Sequence, residues 1–439
     1  MARAVVVGAG FGGLAAALRL AKLGHTVTLV DSDHELGGAL RPVVQDGFTW
    51  DGGPSYTGVP AVVRDLFRKT GRPLEAEIGS DLEPLPVVRE HRFVDGTTLV
   101  LPPGRRPQRD AVEELAPGDG GRWDEHVQSY AATWELLRRH YFEEPWQRDA
   151  LPREVSAVLD ARGDLRKRLR RTFRDDRFVD ALAHRHRAEG HDLRDVPPWA
   201  GLDAYLEQLF GLWRMPGGMH VLRDLLVDRL ATRGVEVAAG TDVLDVAVRD
   251  GRAVGVRTTG GDLDADVVVC AVDPRRLPVL RRYVERTLVA LPPLVVHLGL
   301  VGTPGVEMPD LAHETVLHGD SPLVVRTGGT APEGHVTWTL HAHGRTAEDL
   351  AVTLARAGID VRDRIVTRVD LSPRDLVERW HGTPNGVLWG GRRTVRQRLG
   401  PDTPVPGVLA VGAHATPGAG LPYVGLSAAL AATVVGPAS

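Results

Sequence analysis

The chain has 439 residues, 43% hydrophobic and 25% charged, with a formal net charge of −4. That length suits two domains with substantial cores, and the near-balanced charge gives no electrostatic basis for binding nucleic acid. A single cysteine, Cys270, excludes a disulfide framework or a cysteine metal site, and no metal is expected.

The first element is an apolar strand over Ala4–Val7. Gly8-Ala9-Gly10-Phe11-Gly12-Gly13, a helix, a second strand over Thr26–Val30 and Asp31 follow. This is a G-x-G-x-x-G pattern in its full strand–turn–helix–strand context. Gly8 permits the tight turn, Gly10 lets backbone approach a pyrophosphate, and Gly13 lets helix and strand pack closely. The helix starting near Gly12 aims its N-terminal dipole at phosphates. Asp31 can accept hydrogen bonds from a ribose diol. Alone, this unit admits NAD, NADP or FAD.

Leu36-Gly37-Gly38 and Asp51-Gly52-Gly53-Pro54-Ser55 come next, then a helix over Pro60–Thr70 with Val62, Val63, Leu66 and Phe67 on one face. Arg89–Leu101 reads as a hairpin turning at Asp95-Gly96. Residues 108–215 are mostly helical and charged. Within them Leu165–Phe173 is basic, with Leu165, Leu169 and Phe173 on one stripe. Such a helix reads either as a peripheral membrane contact or as an ordinary amphipathic cap helix, the bland reading being favoured. His184 and His186 are expected on a solvated helical face.

Met215-Pro216-Gly217-Gly218-Met219 precedes a helix and a strand over Val235–Ala238. Val243–Val248, Ala253–Thr258 and Asp266–Val272 are expected to form a small antiparallel set, with turns at Asp250-Gly251 and Gly260-Gly261. Leu294–Val301, which carries His297, and His335–His341 read as strands of another sheet, and Thr346–Ala357 as a helix. After Asp402 no Asp, Glu, Lys or Arg occurs. That tail reads as a buried strand (Val408–Val411) and a buried helix (Leu426–Val434), since prolines and glycines interrupt it before the ~20 apolar residues of a membrane span. The early first strand leaves no room for a signal peptide, so a cytoplasmic protein is expected.

These segments resemble the flavin-dependent amine oxidase and phytoene desaturase superfamily, in its bacterial carotenoid desaturase branch. The resemblance rests on Val5–Asp31, on Met215–Met219, on Val267–Pro274 and on Val411–Pro422 with its Pro417-Gly418-Ala419-Gly420 core. It implies an α/β fold: a discontinuous Rossmann-type FAD-binding domain (1–70, 215–290 and 400–439) and an inserted α+β substrate domain with a helical cap (71–214 and 291–399). It also implies FAD. Gly8, Gly10, Gly12 and Gly13 would hold the pyrophosphate, Asp31 the adenosine ribose, and Gly38 and Arg41 would lie along the pyrophosphate and ribityl. Gly53, Pro54 and Ser55 would approach the ring, and the Val243 backbone would meet the adenine. Gly412 and Ala413 would sit at the ribityl phosphate, and Leu421 and Pro422 would line the pyrimidine end. The chain departs from the family pattern at Ala39, where arginine is frequent, and at Thr416, where histidine is frequent.

The implied chemistry is hydride removal from a small, apolar, isoprenoid- or carotenoid-like substrate onto flavin N5, with oxygen or a quinone taking the electrons. An amine or secondary-metabolite oxidase, a flavin-dependent saturase or isomerase, and a prenyl-binding carrier are the competing readings. Candidate catalytic groups are His414, beside the C-terminal glycines, and His297. Trp389 reads as a cavity wall or as core.

Overall fold

The computed structural model describes every residue except Trp146, Arg148, Asp149, Asp320, 345–347 and Ser439. Its centre is a five-stranded sheet in the order Val408–Ala410, Val267–Cys270, Arg3–Val7, Thr26–Val30, Glu236–Ala238. Every pair in it is parallel. Parallel strands are covered on both faces, which is why these segments read as nearly unbroken valine runs. Val5, Val7, Val268 and Cys270 join one core, and Ala4, Val6, Val27 and Leu29 join another with the first helix, Phe11–Lys22. Cys270 is fully buried, and burial pushes its thiol up to about 12.

One strand lies elsewhere than expected. Val267–Cys270 pairs in parallel with Arg3–Val7 instead of joining the small antiparallel set. Gly261–Asp264 takes that place, beside Arg252–Thr258 and Val243–Arg249. Val267–Cys270 has an apolar neighbour on each side, whereas Gly261–Asp264 is mostly exposed and suits an edge.

A seven-stranded sheet follows the order Ile365–Leu371, Leu294–Val301, His335–Ala342, Leu323–Thr327, Glu314–Leu317, Arg89–Arg92, Thr98–Leu101. The hairpin at Asp95-Gly96 supplies its last two strands. The register aligns polar residues from four strands. His297 pairs with Thr339, Thr339 with Arg326, and Arg326 with Glu314, so these four form one cross-strand row. Side chains two apart along a strand share a face. Val295, His341 and Val324 therefore form the next row on that face.

The segments between Arg105 and Phe210 are helical around a core that includes Trp123, Tyr130, Tyr141, Phe142 and Phe178. In the basic helix Leu165–Thr172 the apolar stripe of Leu165 and Leu169, continued by Phe173, is buried in that core. Its arginines and lysine face outward. The helix after residue 349 runs over Leu350–Arg356; the expected start at Thr346 lies outside the described residues. The last helix, Leu421–Val435, starts five residues earlier than the hydrophobic pattern suggests, because Gly420 caps it and Pro422 fits its first turn. Among the described residues no helix is long and apolar enough to cross a membrane.

Candidate functional site

A cavity of about 390 Å3 runs from the end of the second strand, across the glycine turn, to the space beneath the seven-stranded sheet. At one end lie Asp31, Asp33 and Val243. Asp31 closes the strand: its Oδ2 accepts the Ala9 N–H at 2.5 Å and its Oδ1 the Asp33 N–H at 2.8 Å. Arg41, also lining, is held by Asp33 at 2.5 Å and by backbone carbonyls of Gly38, Glu35 and Arg379. That ion pair holds the Asp33 carboxyl below its usual range, against the effect of burial.

The middle of the cavity is glycine-walled for identifiable reasons. A Cβ on Gly13 would stand 1.8 Å from the Gly8 carbonyl oxygen, so helix and strand touch backbone to backbone there. Gly8 has φ +99°, which only glycine adopts readily. Gly12 and Gly412 approach similarly: a Cβ on Gly12 would be 3.1 Å from the Gly412 Cα. Gly10 differs. Its φ is −68°, open to any residue, and a Cβ there would meet nothing within 4 Å. The first helix begins at Phe11, capped by Gly10 with no side-chain hydrogen bond to its first-turn N–H groups, and Gly10, Phe11 and Gly12 line the cavity. Extended room, unused helix-terminal donors and a carboxylate at the strand end are the donor set of a dinucleotide.

Beyond the glycines the walls are Gly53, Pro54, Ser55, Ala413, His414, Leu421 and Pro422. The expected cofactor residues thus all line one cavity, apart from Gly13, which packs beneath it. His414 is 7% exposed; its Nδ1 lies 3.9 Å from Asp273 Oδ1, and burial holds its pKa below the usual imidazole value.

His297 does not line the cavity. Its ring lies 5.5 Å from that of Trp50, its Nδ1 shares a 3.0 Å hydrogen bond with Thr339 Oγ1, and burial pushes its pKa down to about 3. It is fully buried beside Trp50, outside the cavity lining, whereas His414 borders the cavity. Trp389 is core: it stacks edge-on against Trp199 at 5.5 Å, under the Arg398 guanidinium.

His184 and His186 are not solvated. They are 3% and 4% exposed, and His184 lines the cavity 3.6 Å from Glu314. Glu314 is the centre of a network that sequence reading missed. It takes Arg89 Nε at 2.5 Å and Arg326 Nε at 2.7 Å, and the Tyr56 hydroxyl donates to it at 3.4 Å. Arg89 also forks onto Glu207. Burial alone would raise the Glu314 carboxyl; Arg89 and Arg326 hold it well below the usual carboxylate range. The available signal was one charged residue in each of two apolar strands, Glu314–Leu317 and Leu323–Thr327.

With this geometry in view, the relatives are informative. The family model for flavin containing amine oxidoreductases matches residues 11–380. The chain belongs to that family. This oxidoreductase is 27% identical over 500 residues to a 4,4'-diapolycopene oxygenase of Methylomonas sp, covering 98% of this chain and 97% of that one. It is 28% identical to a neurosporene-forming phytoene desaturase of Cereibacter sphaeroides over 72% of this chain, and spans 63% of that relative. A cyclohexylamine oxidase from Brevibacterium oxydans superposes with a TM-score of 0.68 at 18% identity, over 99% of both chains. The oxidoreductase uses FAD, within a fold that combines a parallel nucleotide sheet with a second, larger sheet. When bound, FAD supplies a two-electron acceptor.

Asp31 gives a direct check on the nucleotide end. Asp31→Ala is expected to weaken FAD binding by about 1.5–3 kcal/mol, roughly 10- to 150-fold, the usual worth of a charged acceptor. The quenching of FAD fluorescence on titration into apoprotein measures it. Asp31→Asn, which keeps one acceptor oxygen, should fall between.

Proposed function

We propose that this flavoenzyme dehydrogenates a carbon–carbon bond of an isoprenoid or carotenoid-like substrate. The observation that carries the reading is the continuity of the cavity. The glycine-walled nucleotide channel opens, past Pro54 and Leu421, into a chamber where Leu206, Leu212, Val295 and Val324 offer apolar wall beside charged groups such as Glu207, Glu314 and Arg326. Relatives matching along nearly the whole chain act, by name, on carotenoids.

In this reading Gly8, Gly10 and Gly12 take the pyrophosphate against the first helix, with Gly13 setting the helix on the strand. Asp31 takes the ribose, Val243 the adenine, and Gly38 and Arg41 the stretch between. Gly53, Pro54, Ser55, Gly412 and Ala413 border the ribityl and ring. The last helix begins at Leu421 and Pro422, so its positive end would lie by the pyrimidine side of the ring and favour negative charge there. His414, neutral through burial, is positioned to accept a proton. The division into a nucleotide body (1–70, 215–290, 400–439) and a substrate body (71–214, 291–399) belongs to the same reading. Oxygen or a quinone reoxidises the flavin.

The test is anaerobic. Holoenzyme mixed with phytoene or 4,4'-diapophytoene in detergent should lose its flavin absorbance while a longer-wavelength polyene band appears. Flavin that stays oxidised with both polyenes but is bleached by cyclohexylamine or putrescine overturns the proposal in favour of amine oxidation.

A further inference from the structure

The chamber beneath the seven-stranded sheet has apolar walls such as Leu206, Val295 and Val324, and charged ones such as Arg89, Arg185, Glu207 and Glu314. Arg89 and Arg185 are ion-paired through their terminal nitrogens; among the described residues no such pair forms for Arg326. Arg326 uses Nε on Glu314 at 2.7 Å. Among the described residues no hydrogen bond or ion pair reaches its two terminal nitrogens. The side chain is 21% exposed, lines the cavity, and lies over the Tyr56 ring at 5.3 Å. Tyr56 directly follows the Gly53–Ser55 segment. Arg89 contrasts with it: all three of its nitrogens are engaged by Glu314 and Glu207. The network thus fixes Arg326 from behind, through Glu314 and Tyr56, and leaves its fork turned to the chamber.

A fixed guanidinium with two free nitrogens is the fork that matches a planar pair of oxygens. Glu314 takes one edge of the guanidinium and leaves the other open to a second anionic partner in the cavity. Val324, on the same strand face two residues away, and Val295, opposite His341, offer a hydrocarbon body the adjoining surface. We propose that Arg326 anchors a carboxylate at the end of an otherwise apolar substrate, so that this enzyme acts on an isoprenoid acid in preference to a plain hydrocarbon. The inference rests on the dehydrogenase reading only for the isoprenoid body; the anchor itself rests on Arg326.

The experiment compares farnesoic acid, its methyl ester and farnesene as probes of the holoenzyme, read by perturbation of the bound flavin's visible spectrum. The acid should bind about tenfold or more tighter than the ester, the scale of one buried charge-assisted contact. In Arg326→Met the preference should shrink to within about twofold while flavin content stays at the wild-type level. Arg326→Lys keeps the charge beside Glu314 and loses the fork; it guards against a Met variant that fails to fold, and should show an intermediate preference. Equal binding of acid and ester by wild-type protein, no spectral response to the acid, or an acid preference that survives in both variants overturns the anchor. Anaerobic flavin bleaching separates the two proposals. Acid-selective binding with flavin that no polyene or acid reduces keeps the anchor and removes the dehydrogenase. Bleaching by hydrocarbon and acid alike, with no acid preference in binding, does the reverse.

Discussion

Gly10→Ala is expected to give a folded protein that holds no flavin, and Gly13→Ala a protein impaired in both respects. The two glycines belong to one motif but have different reasons to be glycine. A Cβ on Gly13 would lie 1.8 Å from the Gly8 carbonyl oxygen, a backbone atom that cannot swing away. The first helix must then lift from the strand, at the ~1–3 kcal/mol typical of overpacking or more, and the phosphate-facing helix terminus moves with it. At Gly10 the backbone is extended and a methyl group meets no protein atom within 4 Å. Nothing in the polypeptide asks for glycine there. The requirement comes from whatever fills the space in front of it, and in the proposed reading that group is the pyrophosphate of FAD. Thermal unfolding of apoprotein should therefore match wild type within about 0.5 kcal/mol for Gly10→Ala and drop clearly for Gly13→Ala. Flavin absorbance after saturation with FAD should be lost in both. Retention of flavin by Gly10→Ala would place the pyrophosphate elsewhere.

That contrast bears on how far the sequence could be read. The nucleotide end was legible because its chemistry is backbone chemistry. Close approach demands glycine, and glycine at fixed spacing is visible in one dimension. The strands of the parallel sheet were legible for a related reason, since burial on both faces leaves unbroken valine runs. Val267–Cys270 was found as a strand but given the wrong partners, because an apolar run states that it is buried and not beside what. The substrate end was opaque. Glu314 and Arg326 face each other across two consecutive strands while Arg89 comes from a strand far back in the chain, and their meaning exists only in the cross-strand register. His184 and His186 looked solvated because arginines flank them; the helix turns those arginines to ion pairs with Glu189 and Asp180 and buries the imidazoles. His297 stood out as a histidine in an apolar strand; the structure buries it beside Trp50 and leaves it out of the cavity lining.

Glu314→Ala should be among the most damaging single changes outside the nucleotide site. The carboxylate is 1% exposed and shared by Arg89 and Arg326, with Tyr56 and His184 beside it. Deleting one partner of a buried pair costs about 3–5 kcal/mol, because the remaining charge stays buried without compensation. Here Arg89 keeps Glu207, so the orphaned charge is chiefly that of Arg326. The double variant Glu314→Ala with Arg326→Met should then recover part of the loss, a coupling of about 1–3 kcal/mol in a thermodynamic cycle. Simple additivity would mean that the two side chains do not share one network. The same carboxylate sets a sign for acid stability. Its folded pKa lies well below the ordinary 4.5, so its contribution is complete above that value and fades as the pH falls towards the folded one. Buried histidines act earlier. His313 and His318 are pushed from 6.5 to about 4, chiefly by burial, so protonation favours the unfolded chain from about pH 6.5 downward. Wild-type stability should thus decline in two stages on acidification. Glu314→Ala should keep the histidine stage, between about pH 6.5 and 4, and lose the part of the decline below 4.5 that belongs to the carboxylate. Urea midpoints measured from pH 7 to below 4 separate the stages, because the histidines titrate above the range in which the carboxylate that holds Arg326 loses its charge.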